Sequence, residues 1–216
     1  MRRLVLALAA LAGLFLPGCA LFSKGEPGVL RYFSLDGRPA SRPPDAGDGQ
    51  TTSSEGAPKL RLGRVTGLVH LEERLVARDT AHELEFSPDL RWSEPPAEAL
   101  KRILARVLFE ERGLSRVVGG AGPTLDVELT ALDELRGPVR RARAQVVAML
   151  HDDRRMLWEE TVTVELPVKD AGGSSDEADA SLVEALGSAF KAVIERVADR
   201  VLGQLVSAAS GVTEAK

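Results

Sequence analysis

The sequence predicts an α+β fold, a two-layer sandwich in which a mostly antiparallel sheet carries two amphipathic helices packed on one face. Two observations predict it. Residues 125–166 contain stretches in which apolar and polar residues alternate, as in strands with one buried face. Residues 96–112 and 175–205 repeat apolar residues every three to four positions, as in helices with one buried face. A sheet covered by both helices buries all of these faces.

The N-terminal region has the pattern of a secretory signal peptide. Two arginines precede an apolar run at 4–16, and the small residue Gly18 comes directly before Cys19. The run is shorter than the roughly 20 residues that a membrane-spanning helix needs. Leu-Pro-Gly before a cysteine fits the processing site of bacterial lipoproteins. We therefore expect cleavage of residues 1–18 between Gly18 and Cys19 and lipidation of Cys19; the alternative is an ordinary signal peptide with a coincidental cysteine.

Lipidation of Cys19 would limit the chemistry open to the protein and would determine its location. Cys19 is the chain's single cysteine, so its lipidation leaves no thiol for a disulfide, a cysteine zinc site or a catalytic thiolate. Acyl chains on this residue would hold the protein on a membrane through a tether at 19–28. Ala20 in the next position favours the periplasmic side of the outer membrane in enteric bacteria. A formal net charge of −4 argues against nucleic acid as a partner.

We expect a single domain over residues 29–209. A strand at 29–35 opens it, and the Pro-, Gly-, Ser- and Asp-rich stretch 37–58 predicts a disordered loop because it has almost no apolar surface to bury. Residues 210–216 are expected to form a disordered tail. Short strands are expected around 60–62, 68–71, 75–76 and 84–86.

The longer elements follow in order. The first helix begins at Pro95 and Pro96 and ends before Gly113; its buried face is Leu100, Ile103, Leu104, Val107 and Leu108. An antiparallel meander follows, with strands at 125–131, 142–150 and 156–166. Ser174 and Glu177 have the spacing of a capping box that opens the last helix. Its buried stripe is Leu182, Leu186, Phe190, Val193, Val197, Val201 and Leu205.

Several motifs together resemble those of the auxiliary lipoproteins of ABC-type transport systems, which include the PqiC-like proteins. Behind the lipoprotein processing site come Tyr-Phe-Ser-Leu at 32–35, Arg-Trp-Ser-Glu-Pro-Pro at 91–96, Gly-Leu-Ser-Arg-Val-Val at 113–118 and Leu-Asp-Val-Glu-Leu at 125–129. The resemblance implies a role in envelope lipid transport. The partners that it implies are an ABC ATPase, a permease and a substrate-binding subunit of the MCE (mammalian-cell-entry) type.

The residues themselves favour a protein that is not an enzyme. The three histidines, His70, His82 and His151, lack the spacing of a zinc motif, and neither H-E-x-x-H nor G-x-S-x-G occurs. No G-x-x-x-x-G-K-[ST] motif occurs either, so energy for transport would come from a partner. We therefore predict no catalytic residue, no metal site and no cofactor beyond the covalent lipid.

Three groups of residues are candidates for contact with a partner. Trp92 either fills the core or presents an anchor surface. Tyr32 and Phe33 either contact a partner or pair inside the sheet. Arg140 and Arg141, which lie in an arginine cluster with two others at 136 and 143, either meet lipid headgroups or an acidic protein, or form a solvated strand edge.

The sequence thus predicts a non-catalytic accessory lipoprotein that docks through its sheet edge or a helix surface. The alternative is an outer-membrane structural or biogenesis lipoprotein that serves a lipopolysaccharide, pilus or secretion assembly. The sequence leaves homo-oligomerisation open.

Overall fold

The computed structural model describes residues 29–37, 57–119, 122–170 and 172–213, which form one sheet covered on one face by two helices. The strands are β1 Arg31–Phe33, β2 Lys59–Gly67, β3 Arg74–Arg78, β4 Leu84–Trp92, β5 Ser115–Arg116, β6 Thr124–Leu135, β7 Arg141–His151 and β8 Met156–Pro167. The helices are α1 Pro96–Arg106, which continues as a π-helical turn over Val107–Glu111, and α2 Ser175–Thr213. The predicted α+β class is confirmed.

The sheet is mixed, and β6 lies at its centre. On one side β6 pairs with β7, which pairs with β8, and both ladders are antiparallel over almost their whole length, as the predicted meander requires. On the other side β2 runs parallel to the first half of β6, and β3 runs parallel to its end. Further out, β4 pairs antiparallel with β3, β1 pairs parallel with β4, and β5 pairs parallel with β2. The long ladders are thus antiparallel, and most of the short ones are parallel.

The region between β2 and β3 differs from the sequence-based prediction. The predicted strand at 68–71 is a loop: the Leu68 amide donates to the Leu129 carbonyl at 3.0 Å, and a turn follows in which the Leu71 amide donates to the Leu68 carbonyl. The pairing of β2 with β6 ends at Gly67 and Leu129, at the point where the β6–β7 ladder has a register shift. Leu71 is still buried, whereas Val69 is exposed, so the apolar residues there fill the core from a loop.

The two helices bury the stripes that the sequence predicts. Every residue of the stripe from Leu182 to Leu205 is buried, and Phe190 is its bulkiest member. The Glu177 side chain accepts a hydrogen bond from the Ser174 amide at 3.1 Å, so half of the predicted capping box is present. The helix continues through Thr213, so the domain end expected at 209 falls inside it. Neither helix of the described part combines the length and apolarity needed to cross a bilayer.

Parts of the predicted organisation lie outside the described residues. These are the signal peptide at 1–18 with its cleavage point at Gly18, the lipidation site Cys19, the tether at 19–28, almost all of the 37–58 loop and the last three residues of the tail.

Candidate functional site

Residues 31–36, in the first described segment, contact both helices. Arg31 of β1 forms ion pairs with Asp176 and Asp179 in the first turns of α2, at 2.9 and 2.8 Å. Leu35 is buried in the core. The chain therefore enters the fold at a point that is held from one side by ion pairs and from the other by apolar packing.

Asp36 completes this attachment on α1. Its carboxylate accepts hydrogen bonds from Arg102 at 2.7 Å and from Arg106 at 3.2 Å, and only 13% of the side chain is exposed. Burial raises the pKa of Asp36, but the hydrogen bonds from Arg106 and then Arg102 outweigh it and hold the pKa below its ordinary value of 3.8. The carboxylate is therefore ionised at neutral pH and binds the N-terminal segment to α1.

The two aromatic residues of β1 point to opposite faces of the sheet. Phe33 pairs in register with the buried Trp92, packs against the core and lies beneath the Arg31 guanidinium at 5.2 Å. Tyr32 is 60% exposed, and the neighbouring Leu30 is also exposed. Of the two, the structure places only Tyr32 where a partner can reach most of its ring.

Two arginines lie beside Tyr32 on the face that the helices leave open. Arg91 is in register with Tyr32, and Arg74 is in register with Arg91. Their hydrogen bonds go to backbone carbonyls: Arg91 donates to Ser87, Pro88 and Leu90, and Arg74 donates to Phe86 and Ser87. Within the described residues neither arginine has a carboxylate within 4 Å, and Arg74 lies over the Phe86 ring at 5.2 Å from its centroid.

The arginine cluster near the β6–β7 turn is different, because each member contacts a carboxylate of this chain. The pairs are Arg136 with Glu85, Arg140 with Glu134, Arg141 with Glu165 and Arg143 with Asp133. Asp133 and Glu134 are only 1% and 3% exposed. Buried carboxylates are costly unless paired, so Arg140 and Arg143 are needed to stabilise them. Binding of an acidic partner by Arg140 and Arg141 stays a prediction that competes with these internal pairs.

Trp92 is 2% exposed and is one of the largest buried side chains. The sequence left two roles open for this residue, and its placement is the one expected for core packing. The tryptophan offers no ring surface to a partner, so contact there would require the strand to open.

The histidines are dispersed. His70 lies in the β2–β3 loop, His82 is exposed between β3 and β4, and His151 ends β7 with its Nε2 3.3 Å from an Asp126 carboxylate oxygen. No cluster of three or more metal-binding side chains occurs among the residues that the structure describes. The candidate sites that remain are surfaces.

The free edge of β8 is the longest such surface. In the described part of the chain β8 pairs only with β7. The amide of Val168, one residue past the strand, donates to the Arg140 carbonyl on the β7 side at 3.0 Å. Because backbone groups of successive strand residues alternate in direction, those of Thr161, Thr163 and Glu165 point away from β7. The Thr163 carbonyl accordingly accepts a hydrogen bond from Arg196 of α2 at 3.2 Å.

A groove of about 680 Å³ runs between this edge and α2, and we call it the β8 groove; it is lined by Glu160, Thr161, Val162, Thr163, Arg196, Asp199 and Arg200. Arg200 contacts Glu160 at 3.6 Å, and Asp199 contacts Arg112 outside the groove at 2.8 Å. Arg196 has only a carbonyl partner among the described residues. The groove therefore offers outward-facing strand backbone, in which Arg196 holds the Thr163 carbonyl, and that arginine has no carboxylate partner among the described residues.

Sequence reasoning did not find this groove or the arginines at 74 and 91. Alternating residues reveal a strand's buried face, but they do not reveal which strand ends the sheet, because that depends on long-range pairing. Nor does the sequence show that the four arginines near the β6–β7 turn meet internal carboxylates and the two beside Tyr32 do not.

Comparison with known proteins decides the family. The model of the ABC-type transport auxiliary lipoprotein component matches residues 42–198. The chain belongs to this family. The resemblance seen in the motifs is thereby confirmed, and a description as an auxiliary component agrees with a protein that is not an enzyme.

Two solved structures show the same fold. A crystal structure of a protein from Xanthomonas campestris is 17% identical, with a TM-score of 0.63, and the match covers 83% of this chain and 99% of that one. A crystal structure of an uncharacterized protein is 14% identical, with a TM-score of 0.58 and coverage of 80% and 99%. At these identities the likeness concerns the fold alone. No curated protein sequence matches the chain.

Proposed function

We propose that this auxiliary lipoprotein is a non-catalytic accessory subunit of an ABC/MCE-type envelope lipid-transport system. Cys19 carries its lipid anchor, which holds it on the periplasmic side of the cell envelope, most simply at the outer membrane. Its partners are the MCE-type subunit and the permease–ATPase complex. The family match over residues 42–198 carries the transport part of this proposal.

The β8 groove is the docking surface in this proposal, and its ligand is an extended segment of a transporter subunit. A sheet edge beside a helix recognises a peptide by adding it as a further strand, with main-chain hydrogen bonds giving affinity. Thr161, Thr163 and Glu165 supply the outward-facing groups. Arg196, which lacks a carboxylate partner in the described structure, favours an acidic residue in the segment.

A pair of variants at one position tests the strand addition. Thr163→Pro removes an outward amide without removing a hydrogen bond to β7, which an edge strand tolerates. Thr163→Val keeps that amide but, like the proline variant, loses the threonine hydroxyl, which accepts a hydrogen bond from Gln145 at 2.8 Å. The valine variant is thus the matched control.

The full-length lipidated protein and both variants are purified from membranes in mild detergent, and mass spectrometry identifies what accompanies them. We expect MCE-type and permease subunits with the wild type and Thr163→Val, and their loss with Thr163→Pro. Porin-assembly, lipopolysaccharide or secretion components in their place would refute the transport role. Equal recovery with all three proteins would refute docking at β8, provided that their circular dichroism spectra agree.

A further inference from the structure

The open face around Tyr32 has the composition of a membrane-contact surface. We call it the β1 face; it comprises Val29, Leu30, Tyr32, Arg74 and Arg91. Val29 and Leu30, directly before β1, are 79% and 49% exposed, and Tyr32 within β1 is 60% exposed. Leu90 and Trp92 point into the core, so Arg91 between them and Tyr32 in register with it point to the face opposite the helices.

The side chains suit the boundary between lipid and water. Tyrosine has an apolar ring and a polar hydroxyl, a combination enriched where one end of a side chain is apolar and the other is wet. Arginines bury their aliphatic stems while their guanidinium groups stay with anionic headgroups. Neither Arg74 nor Arg91 has a carboxylate partner in the described structure, so no ion pair has to break before either meets a headgroup; Arg74 also lies over the Phe86 ring at 5.2 Å.

The position of the β1 face relative to the anchor supports a bilayer as its ligand. Val29 lies ten residues after Cys19. Even a fully extended chain of that length spans at most about 36 Å. An anchored protein is therefore held close to the bilayer, and a short tether gives the β1 face a high effective concentration there. Because ion pairs from Arg31 and Asp36 fix β1 to both helices, contact here would orient the whole domain.

We infer that the β1 face rests on an anionic bilayer surface and sets the orientation of the anchored domain. This inference depends on the lipid anchor at Cys19 in the proposed function.

The test reads the environment of a tryptophan placed at position 32. The full chain with Tyr32→Trp is purified from membranes and reconstituted into phosphatidylcholine vesicles that contain phosphatidylglycerol and brominated lipid. The two native tryptophans form a constant background, since Trp92 is buried and Trp158 is half-buried. Val118→Trp, at a position 90% exposed after β5, is the matched control.

We expect blue-shifted emission and bromine quenching for Tyr32→Trp and no added quenching for Val118→Trp. Arg74→Gln combined with Arg91→Gln should reduce the quenching at position 32, whereas Arg196→Gln should leave it unchanged. Emission at position 32 that stays solvent-exposed, or equal quenching at 32 and 118, would overturn the inference.

Failure of the anchor is distinguishable from failure of the contact. The mass of the N-terminal peptide shows whether Cys19 carries lipid. If it does not, the proposed anchor is refuted, and coupling the free Cys19 thiol to a maleimide lipid still holds the chain on the vesicles. Quenching of Tyr32→Trp in that preparation would support the contact surface, and its absence would overturn it.

Discussion

The replacement of Gly63 by alanine is expected to destabilise the protein, although the same change usually stabilises a chain. β2 is irregular between Leu62 and Val65, and the Arg64 amide donates to an Asp126 carboxylate oxygen at 2.6 Å. A Cβ at position 63 would lie 2.2 Å from that same oxygen and 2.7 Å from Thr124 Cγ2. Gly63 is therefore required so that the Asp126 carboxylate can reach the bulged backbone.

The size of the effect follows from two opposing contributions. Loss of chain entropy in the unfolded state stabilises a Gly→Ala variant by about 0.4–1 kcal/mol. Displacement of the Asp126 carboxylate breaks its hydrogen bond with Arg64 and its contact with His151, which together cost about 2–3 kcal/mol. The free energy of unfolding should therefore fall by about 1–2 kcal/mol, which lowers the Tm by roughly 2–8 °C for a domain of this size.

Differential scanning calorimetry of Gly63→Ala beside Gly203→Ala tests this reasoning. Gly203 is exposed on α2 and a Cβ there meets no atom within 4 Å, so this control should gain about 0.5–1 kcal/mol. In an Asp126→Ala background the Gly63→Ala penalty should shrink, because the nearest obstructing atom is gone. A Tm for Gly63→Ala equal to or above that of the wild type would refute the argument.

Three further substitutions have defined outcomes. Asp36→Asn should lower the free energy of unfolding by about 1–2 kcal/mol at pH 7. Because the pKa of Asp36 is depressed in the folded state, the stabilisation by its carboxylate is present above pH 3.8 and is lost as the pH falls through the lower folded pKa. The free energies of unfolding of variant and wild type, measured with urea, should therefore converge in strong acid. A difference between them that stays constant with pH would contradict this. Asp133→Asn leaves Arg143 and Arg78 without their buried carboxylate and should lower the free energy of unfolding, measured with urea, by about 2–4 kcal/mol. A decrease below about 1 kcal/mol would show that these ion pairs are dispensable for stability. Trp92→Ala should lower the free energy of unfolding by about 3–5 kcal/mol. Trp92→Phe should still recover the partner subunits in detergent co-purification. Loss of those subunits from a folded Trp92→Phe variant would show that the tryptophan contacts a partner.

The sequence predicted those elements whose pattern lies within one continuous segment of the chain. The meander from 125 to 166 and the stripe of α2 are periodic over many residues, so one register buries every apolar side chain and the prediction was confirmed. The loop at 68–71 has strand-like residues, but its pairing ends where β6 is irregular, and that irregularity is a property of another strand. Alternation likewise does not show that Arg143 meets a buried carboxylate across the β6–β7 ladder, whereas Arg91 meets carbonyls of its own strand.

The two proposed contacts lie at opposite edges of the sheet, and this arrangement lets both be occupied together. From β1 the strands follow in the order β4, β3, β6, β7 and β8. Five strand spacings of about 4.8 Å place β8 roughly 24 Å from β1. The β1 face lies on the side of the sheet opposite the helices, whereas α2 lines the β8 groove, so a bilayer on the β1 face leaves the groove open to a subunit of the transporter. The two contacts should then be independent: Thr163→Pro should leave the quenching of Tyr32→Trp by brominated lipid unchanged, and the Arg74→Gln, Arg91→Gln double variant should still recover the transporter subunits. Loss of both contacts in either variant, with the fold intact by circular dichroism, would mean that a single surface serves both roles.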